Sequence, residues 1–338
     1  LGLSGLKVSS YCLGTMTYGE TTEENDAHLQ ISEAFSSGIN FIDTAEMYPT
    51  CPIRKETSGE TEKIIGNWIN NNKDKRKDII LATKVVGNGF KYIRNGGPIT
   101  KETIKVALHG SLKRLKTDYI DLYQLHWPDR PMSLFGGSIN YQHVEGDANS
   151  IESILGALSE LIKIGKIRNI GLSNETPWGT MEFIHQSKDK DLPKMQSIQN
   201  AYNLLNRIFE FGGSEIAFRE SVGLLAYSPL AQGYLTGKYQ NGNLPKGSRK
   251  ELFDRLQRYE GVGSEEAIES YLNIAKKYNV DPSQLANQFV TTRPFVTSNI
   301  IGATSMEQLK LAVTSIEVNL TEEIENDIEK AFKKHGNV

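Results

Sequence analysis

Asp43, Tyr48, Lys84 and His126 lie far apart in the chain, yet each stands at or just beyond the end of a run that reads as a β-strand. NFIDTAEMY at 40–48 supplies a carboxylate and a phenol, ILATKV at 80–85 a lysine, and YIDLYQLHWP at 119–128 a histidine. A phenol titrates near ~10, so at neutral pH it is a poor acid unless a nearby cation stabilises its anion. Lys84 can be that cation, Asp43 can keep the ammonium charged and aimed, and the His126 imidazole can hold a carbonyl oxygen beside the phenol. Carbonyl reduction needs this set. Taken singly, Asp43 is a cap, Tyr48 a packed aromatic and His126 a satisfied rim histidine. Lys84 says more, because an ammonium in an apolar strand must find a partner.

The elements that must position these residues alternate regularly. Strands are expected around 11–15, 40–45, 79–86, 119–126, 167–174, 195–202, 223–230 and 297–303. Between the first and second, Ala27, Ile31, Ala34 and Phe35 fall on one helical face that Gly38 ends. Thr57 and Glu60 suggest a capping box for a helix carrying Ile64, Ile65, Trp68 and Ile69, and Thr100 opens a helix carrying Ile104, Ala107, Leu108, Leu112 and Leu115. Further helices are expected at 151–162, 177–187, 209–221, 264–278, 282–292, 305–315 and 321–334. Eight strand and helix units at this length suit a closed parallel (β/α)8 TIM barrel, an α/β fold with an extra C-terminal helix, over residues 1–338 without a dividing linker. In such a barrel the strand C-termini share one rim, which would gather the four residues with Ser173, Asn174, Gln199, Asn200 and Tyr227.

Composition excludes several classes. The 338 residues are 38% hydrophobic and 23% charged with a formal charge of -3, which offers no basic footprint for nucleic acid. No apolar run approaches the ~20 residues that span a bilayer, and the start lacks a signal-peptide pattern. Cys12 in a strand and Cys51 in an exposed loop make neither a disulfide framework nor a metal cluster, so a reducing, cytoplasmic setting without a metal is expected.

G-x-G-x-x-G after the first strand and a Walker loop are both absent, so a nucleotide would be held otherwise. Ser173, Asn174 and Gln199 offer groups suited to a nicotinamide carboxamide, and Tyr227 offers a face for stacking. Ser228 and the backbone through Pro229 and Leu230 can meet a pyrophosphate. Lys238 and Arg249 can clamp a ribose 2'-phosphate, which favours NADP(H) over NAD. Gly302, Thr304 and Gln308 in GATSMEQ form a strand-to-helix turn for the adenosine side, and Thr15 and Met16 at the end of the first strand complete the expected contacts. Met16, Tyr18, Met47, Trp127 and Tyr202 would give an apolar mouth for a small carbonyl substrate. The loop at 128–149, with Gly136, Gly137 and Gly146, would be a lid or a subunit contact, and the oligomeric state stays open.

Over almost its full length the chain resembles the aldo-keto reductase family. Asp43, Tyr48, Lys84 and His126 match that family's catalytic tetrad, and GLSN, IQNAYN and LLAYSPLAQGYLTGKY match its cofactor segments in order. LGTMTYGE, AEMYP, GNWI and LHWPDRP are similar to its bacterial Tas-type branch, while SPLAQG and GKY are similar to potassium-channel β-subunits. The resemblance implies Tyr48 as general acid, its pKa lowered by Lys84 and Asp43, and His126 orienting the carbonyl. Gly233 joins Ser228 and Leu230 along the pyrophosphate. Ala312 stands where the family often has an adenine-contacting Asn, and 303–308 carries no basic residue, so Lys238 and Arg249 must carry the 2'-phosphate. Two rival readings are a non-catalytic nicotinamide-binding regulatory subunit and a Schiff-base aldolase acting through Lys84.

Overall fold

The computed structural model describes residues 1–132, 145–146, 149–253 and 257–338. Most of the expected lid at 128–149, including Gly136 and Gly137, lies outside the described residues. Among those described, eight strands run in order: β1 (Tyr11–Gly14), β2 (Phe41–Asp43), β3 (Ile80–Val85), β4 (Ile120–Leu125), β5 (Ile167–Ser173), β6 (Ser197–Ala201), β7 (Gly223–Tyr227) and β8 (Val296–Gly302). Each pairs in parallel with the next, and β8 closes on β1, so the chain forms the expected (β/α)8 barrel.

Strand periodicity decides what fills the barrel, because alternate side chains face opposite sides. Cys12, Phe41, Ala82, Leu122, Leu225 and Ile300 form one buried cluster inside it. The residues two further along β3 and β4 are Lys84 and Gln124, so the same face that is apolar at mid-height turns polar at the C-terminal end. The odd-numbered neighbours Leu81, Val85, Tyr123 and Leu125 face outward into the larger core beneath the helices.

The helical layer consists of α1 (Glu24–Ser36), α2 (Glu60–Asn71), α3 (Lys101–Leu115), α4 (Ile151–Lys163), α5 (Pro177–Asp189), α6 (Gly213–Arg219), α7 (Arg249–Phe253), α8 (Ser264–Lys277), α9 (Pro282–Thr291), α10 (Met306–Thr314) and α11 (Glu322–His335). Gly38 and Gly165 end α1 and α4 with φ of 85° and 72°, the left-handed turn that glycine adopts without strain. Thr100 caps α3 in a reciprocal box with Thr103. The box expected from Thr57 does not form: Gly59 takes the N-cap position at φ 86°, and the Thr57 hydroxyl is buried without a partner among the described residues. The helix expected over 209–221 is cut to α6, since Gly212 at φ 89° separates it from the 3-10 turn Ile208–Glu210. Helix α7 forms inside what reads as a loop. No described helix is long and apolar enough to cross a membrane.

Candidate active site

Strand register brings the four separated residues to one end of the barrel. Asp43 ends β2, Lys84 sits opposite Gln124 across β3 and β4, and His126 continues β4 through its backbone N–H to Val85 O (2.9 Å). The Lys84 ammonium donates to Asp43 Oδ2 at 2.6 Å and to Thr44 O at 2.8 Å, and stands 3.5 Å from the Tyr48 hydroxyl. The His126 ring lies edge-on to Tyr48 with centroids 5.7 Å apart. Asp43 Oδ1 accepts from Gln124 at 3.0 Å and Gln199 at 2.9 Å, so both carboxylate oxygens are satisfied although Asp43 is buried. Gln124 was not legible as a site residue; an amide at an inward position of β4 is its sequence signal.

The electrostatics follow from burial. Desolvation pushes the Tyr48 phenol above its ordinary value and the Lys84 ammonium pulls it back without reversing the shift. Asp43 acts on Tyr48 directly in the raising direction, so the expectation that Lys84 and Asp43 lower this pKa is corrected: only Lys84 does so. Burial lowers the Lys84 pKa, but Asp43 and Tyr48 more than offset it and the net shift is upward. A charged, fully buried ammonium is no nucleophile, which counts against the aldolase reading. Burial and Lys84 hold His126 well below 6.5, leaving a neutral imidazole whose Nδ1 has no partner among the described residues.

Residues 11–333 match the Aldo/keto reductase family. The chain belongs to that family. It is 47% identical over 330 residues to Protein tas of Escherichia coli (strain K12), covering 96% of this chain and 94% of that protein. It is 31% identical to the uncharacterized oxidoreductase YrpG of Bacillus subtilis (strain 168), with 99% and 96% covered. It is also 30% identical to a putative voltage-gated potassium channel subunit beta of Schizosaccharomyces pombe, with 98% and 91% covered. An oxidoreductase role follows from membership.

The family fold sets the cofactor candidates on the same rim. Asn174, at φ 54°, donates to His126 O (2.9 Å) and Ser173 Oγ (3.1 Å) and accepts from the Tyr227 hydroxyl (2.7 Å). Ser173 donates to Gln199 O at 3.0 Å, and the buried Thr15 donates to Asp43 O at 2.8 Å. These groups presently cap strand ends. After β7 the backbone takes φ of 58° at Ser228, 46° at Ala231, 61° at Gln232 and 99° at Gly233, a crowded turn beside buried Pro229 and half-buried Leu230. A Cβ on Gly233 would stand 3.1 Å from the Lys238 amine, so this cation folds onto the turn. Its amine lies 5.1 Å from the Tyr239 ring, whose hydroxyl accepts from Lys250 N, so the start of α7 is tied to the same aromatic. A left-handed turn with the Lys238 amine folded onto it is a cradle that fits a dinucleotide phosphate. At the far side Gln308 accepts from Thr304 N (3.1 Å) and Thr304 Oγ1 (3.2 Å), next to Gly302 at the end of β8.

The apolar mouth differs from expectation. Met47 and Trp127 share a small cluster with Ala45 and Val86, against which Tyr48, Phe90 and Ile93 pack, and Trp127 lies 4.8 Å from the His126 ring. Met16 accepts from Thr50 N at 3.0 Å, which draws the 50–52 segment inward; Cys51 is therefore buried rather than exposed. Tyr18 is fully buried and donates to Gln30 of α1 at 3.1 Å, and Tyr202 donates to Glu210 and stacks near Phe289, so both belong to the outer core and not to a mouth. A cavity of about 210 Å³ lies nearby, outside the barrel wall, between Leu125, Leu172 and helices α4 and α5.

Glu46 was also missed. Its carboxylate accepts from Val86 N at 2.7 Å and from both Arg94 terminal nitrogens at 2.6 Å, while Arg94 donates to Val86 O at 2.9 Å. This clamp ties the loop carrying Tyr48 to the end of the strand carrying Lys84. Arg94→Met strands a buried carboxylate, so unfolding in urea should show a loss of about 3–5 kcal/mol; an unmoved midpoint would remove the clamp from the account.

Proposed function

We propose that the protein is an NADPH-dependent reductase that converts aldehydes or ketones to alcohols, with Tyr48 as general acid. The observation that carries this reading is the contact of the Tyr48 hydroxyl with an ammonium that is itself fixed by a carboxylate. A reduced nicotinamide bound at this rim would supply the hydride. Tyr48 gives its proton to the carbonyl oxygen as charge develops there, and Lys84 stabilises the phenolate that remains. His126, neutral, donates a hydrogen bond that keeps the oxygen beside the phenol. Asp43 holds Lys84 charged and aimed. Ser173, Asn174 and Gln199 would hold the carboxamide, Tyr227 would stack on the ring, and Lys238 with Arg249 would select the 2'-phosphate. Cys12 and Cys51, both free and buried, suit a cytoplasmic setting.

The test is oxidation of NADPH by the 338-residue chain with a panel of aldehydes and ketones. Turnover with several carbonyls supports the reading, whereas dinucleotide binding without turnover would favour the regulatory-subunit reading that the channel-related relative suggests. The pH dependence is also expected. Tyr48 has a raised pKa, so the acid is protonated throughout the neutral range and reduction should slow only as pH rises beyond 10. Burial and Lys84 hold the His126 pKa well below 6.5, so its protonation should cost no rate between neutrality and pH 6.5. A reduction rate that falls between neutrality and pH ~8, well under the ordinary phenol range, would contradict these assignments.

A further inference from the structure

Several buried or half-buried arginines are matched to carboxylates. Arg76 pairs with Asp121 at 2.9 Å, Arg94 with Glu46 at 2.6 Å, Arg114 with Glu62 at 2.7 Å and Arg207 with Glu210 at 2.8 Å. Arg258 departs from the pattern: it is half-buried, carries no carboxylate partner among the described residues, and contacts the hydroxyls of Tyr227 and Tyr259. A phenol is a weak partner for a guanidinium that has lost much of its water. The position is fixed from both sides. Tyr259 is buried and its hydroxyl accepts from Asn203 Nδ2 at 2.9 Å, and the same amide donates to Ser228 O at 2.9 Å. The 3-10 turn Gln257–Tyr259 is thereby pinned over the first residue of the left-handed turn after β7, while Tyr227 keeps its hydroxyl on Asn174.

We propose that Arg258 binds the pyrophosphate of the dinucleotide, exchanging its phenol contacts for phosphate oxygens; this rests on the cofactor reading above. The charge left without a carboxylate among the described residues sits on a segment that Tyr259 and Asn203 join to Ser228 O, next to the Ser228–Gly233 turn, where backbone N–H groups and Lys238 favour an anion. The planar fork of arginine can engage two oxygens at once, which a lysine cannot do. Arg258 therefore serves both nicotinamide dinucleotides alike, because the pyrophosphate is common to them, whereas Lys238 and Arg249 discriminate by the 2'-phosphate. The signal in the sequence was one of two arginines, with Arg255, in an unassigned stretch, and nothing there joined it to Tyr227.

Dissociation constants for NADPH and for NADH, read by quenching of intrinsic tryptophan fluorescence, test the assignment on the full chain. Arg258→Met should weaken both dinucleotides by the same factor, about 10- to 100-fold for loss of hydrogen bonds to a charged group. Arg258→Lys should recover part of that loss, and Arg249→Met should weaken NADPH while leaving NADH unchanged. Binding by Arg258→Met should also depend less on salt than binding by the unmodified protein. A loss confined to NADPH, or equal affinities for Arg258→Met and the unmodified protein, would overturn the assignment. So would unchanged dinucleotide affinity with slower reduction of 4-carboxybenzaldehyde alone, which would make Arg258 a substrate contact. Unfolding midpoints without dinucleotide separate these effects from misfolding, and the lysine variant carries the test if the methionine variant unfolds. Failure of the unmodified protein to bind either dinucleotide would overturn the cofactor reading together with this assignment.

Discussion

Tyr48→Phe should bind NADPH as the unmodified protein does and lose about 10²- to 10⁴-fold of its turnover, the range for removing a general acid. The substitution deletes one oxygen and keeps the ring, so the edge-on contact with His126 and the packing against Met47 and Trp127 remain. Among the described residues the hydroxyl has one hydrogen-bond contact, the Lys84 amine at 3.5 Å, and Lys84 retains Asp43 and Thr44 without it. Stability should therefore change little. Steady-state reduction of a carbonyl, beside a binding titration with NADPH, separates the two effects; undiminished turnover would remove Tyr48 from the chemistry.

Lys84→Met should cost both activity and stability. Asp43 and Lys84 are buried together with their charged atoms 2.6 Å apart, and deleting the cation leaves a buried carboxylate facing only two amides. Breaking a buried pair from one side destabilises by about 3–5 kcal/mol, because the remaining charge is uncompensated. Turnover should fall with it, since nothing else would stabilise a Tyr48 phenolate. The double variant Lys84→Met with Asp43→Asn distinguishes the two roles: it removes the stranded charge, so urea unfolding should return most of the lost stability, while turnover stays low. If the double variant instead regained turnover, Lys84 would be a structural partner of Asp43 and no more.

The catalytic-type residues were legible because each lies at or just beyond the C-terminal end of a strand, and a parallel barrel sends those ends to one rim. The helix pattern was legible for the same local reason: Gly38, Thr100 and Gly165 act on their own neighbours, and their turns and caps form as read. Thr57 failed as a cap because Gly59, two residues on, offered a left-handed conformation that Thr57 could not compete with. Tyr18 and Tyr202 failed as mouth residues because an aromatic near a strand end can turn to either side of the barrel wall, and here hydrogen bonds to Gln30 and Glu210 hold them in the outer layer.

The sequence by itself determined the alternation of strands and helices, the polar layer above an apolar barrel interior, and the four residue types at the rim, since these depend on periodicity and on position within one element. Only the tertiary structure decided which groups meet: that Gln124 and Gln199 share Asp43, that Arg94 closes on Glu46, and that Arg258 reaches Tyr227. Such partners are separated by tens of residues, and their contact depends on register and on burial. It also decided the direction of the Tyr48 shift, because desolvation is a property of the packed molecule, and here it outweighs the ammonium that the sequence had placed beside the phenol.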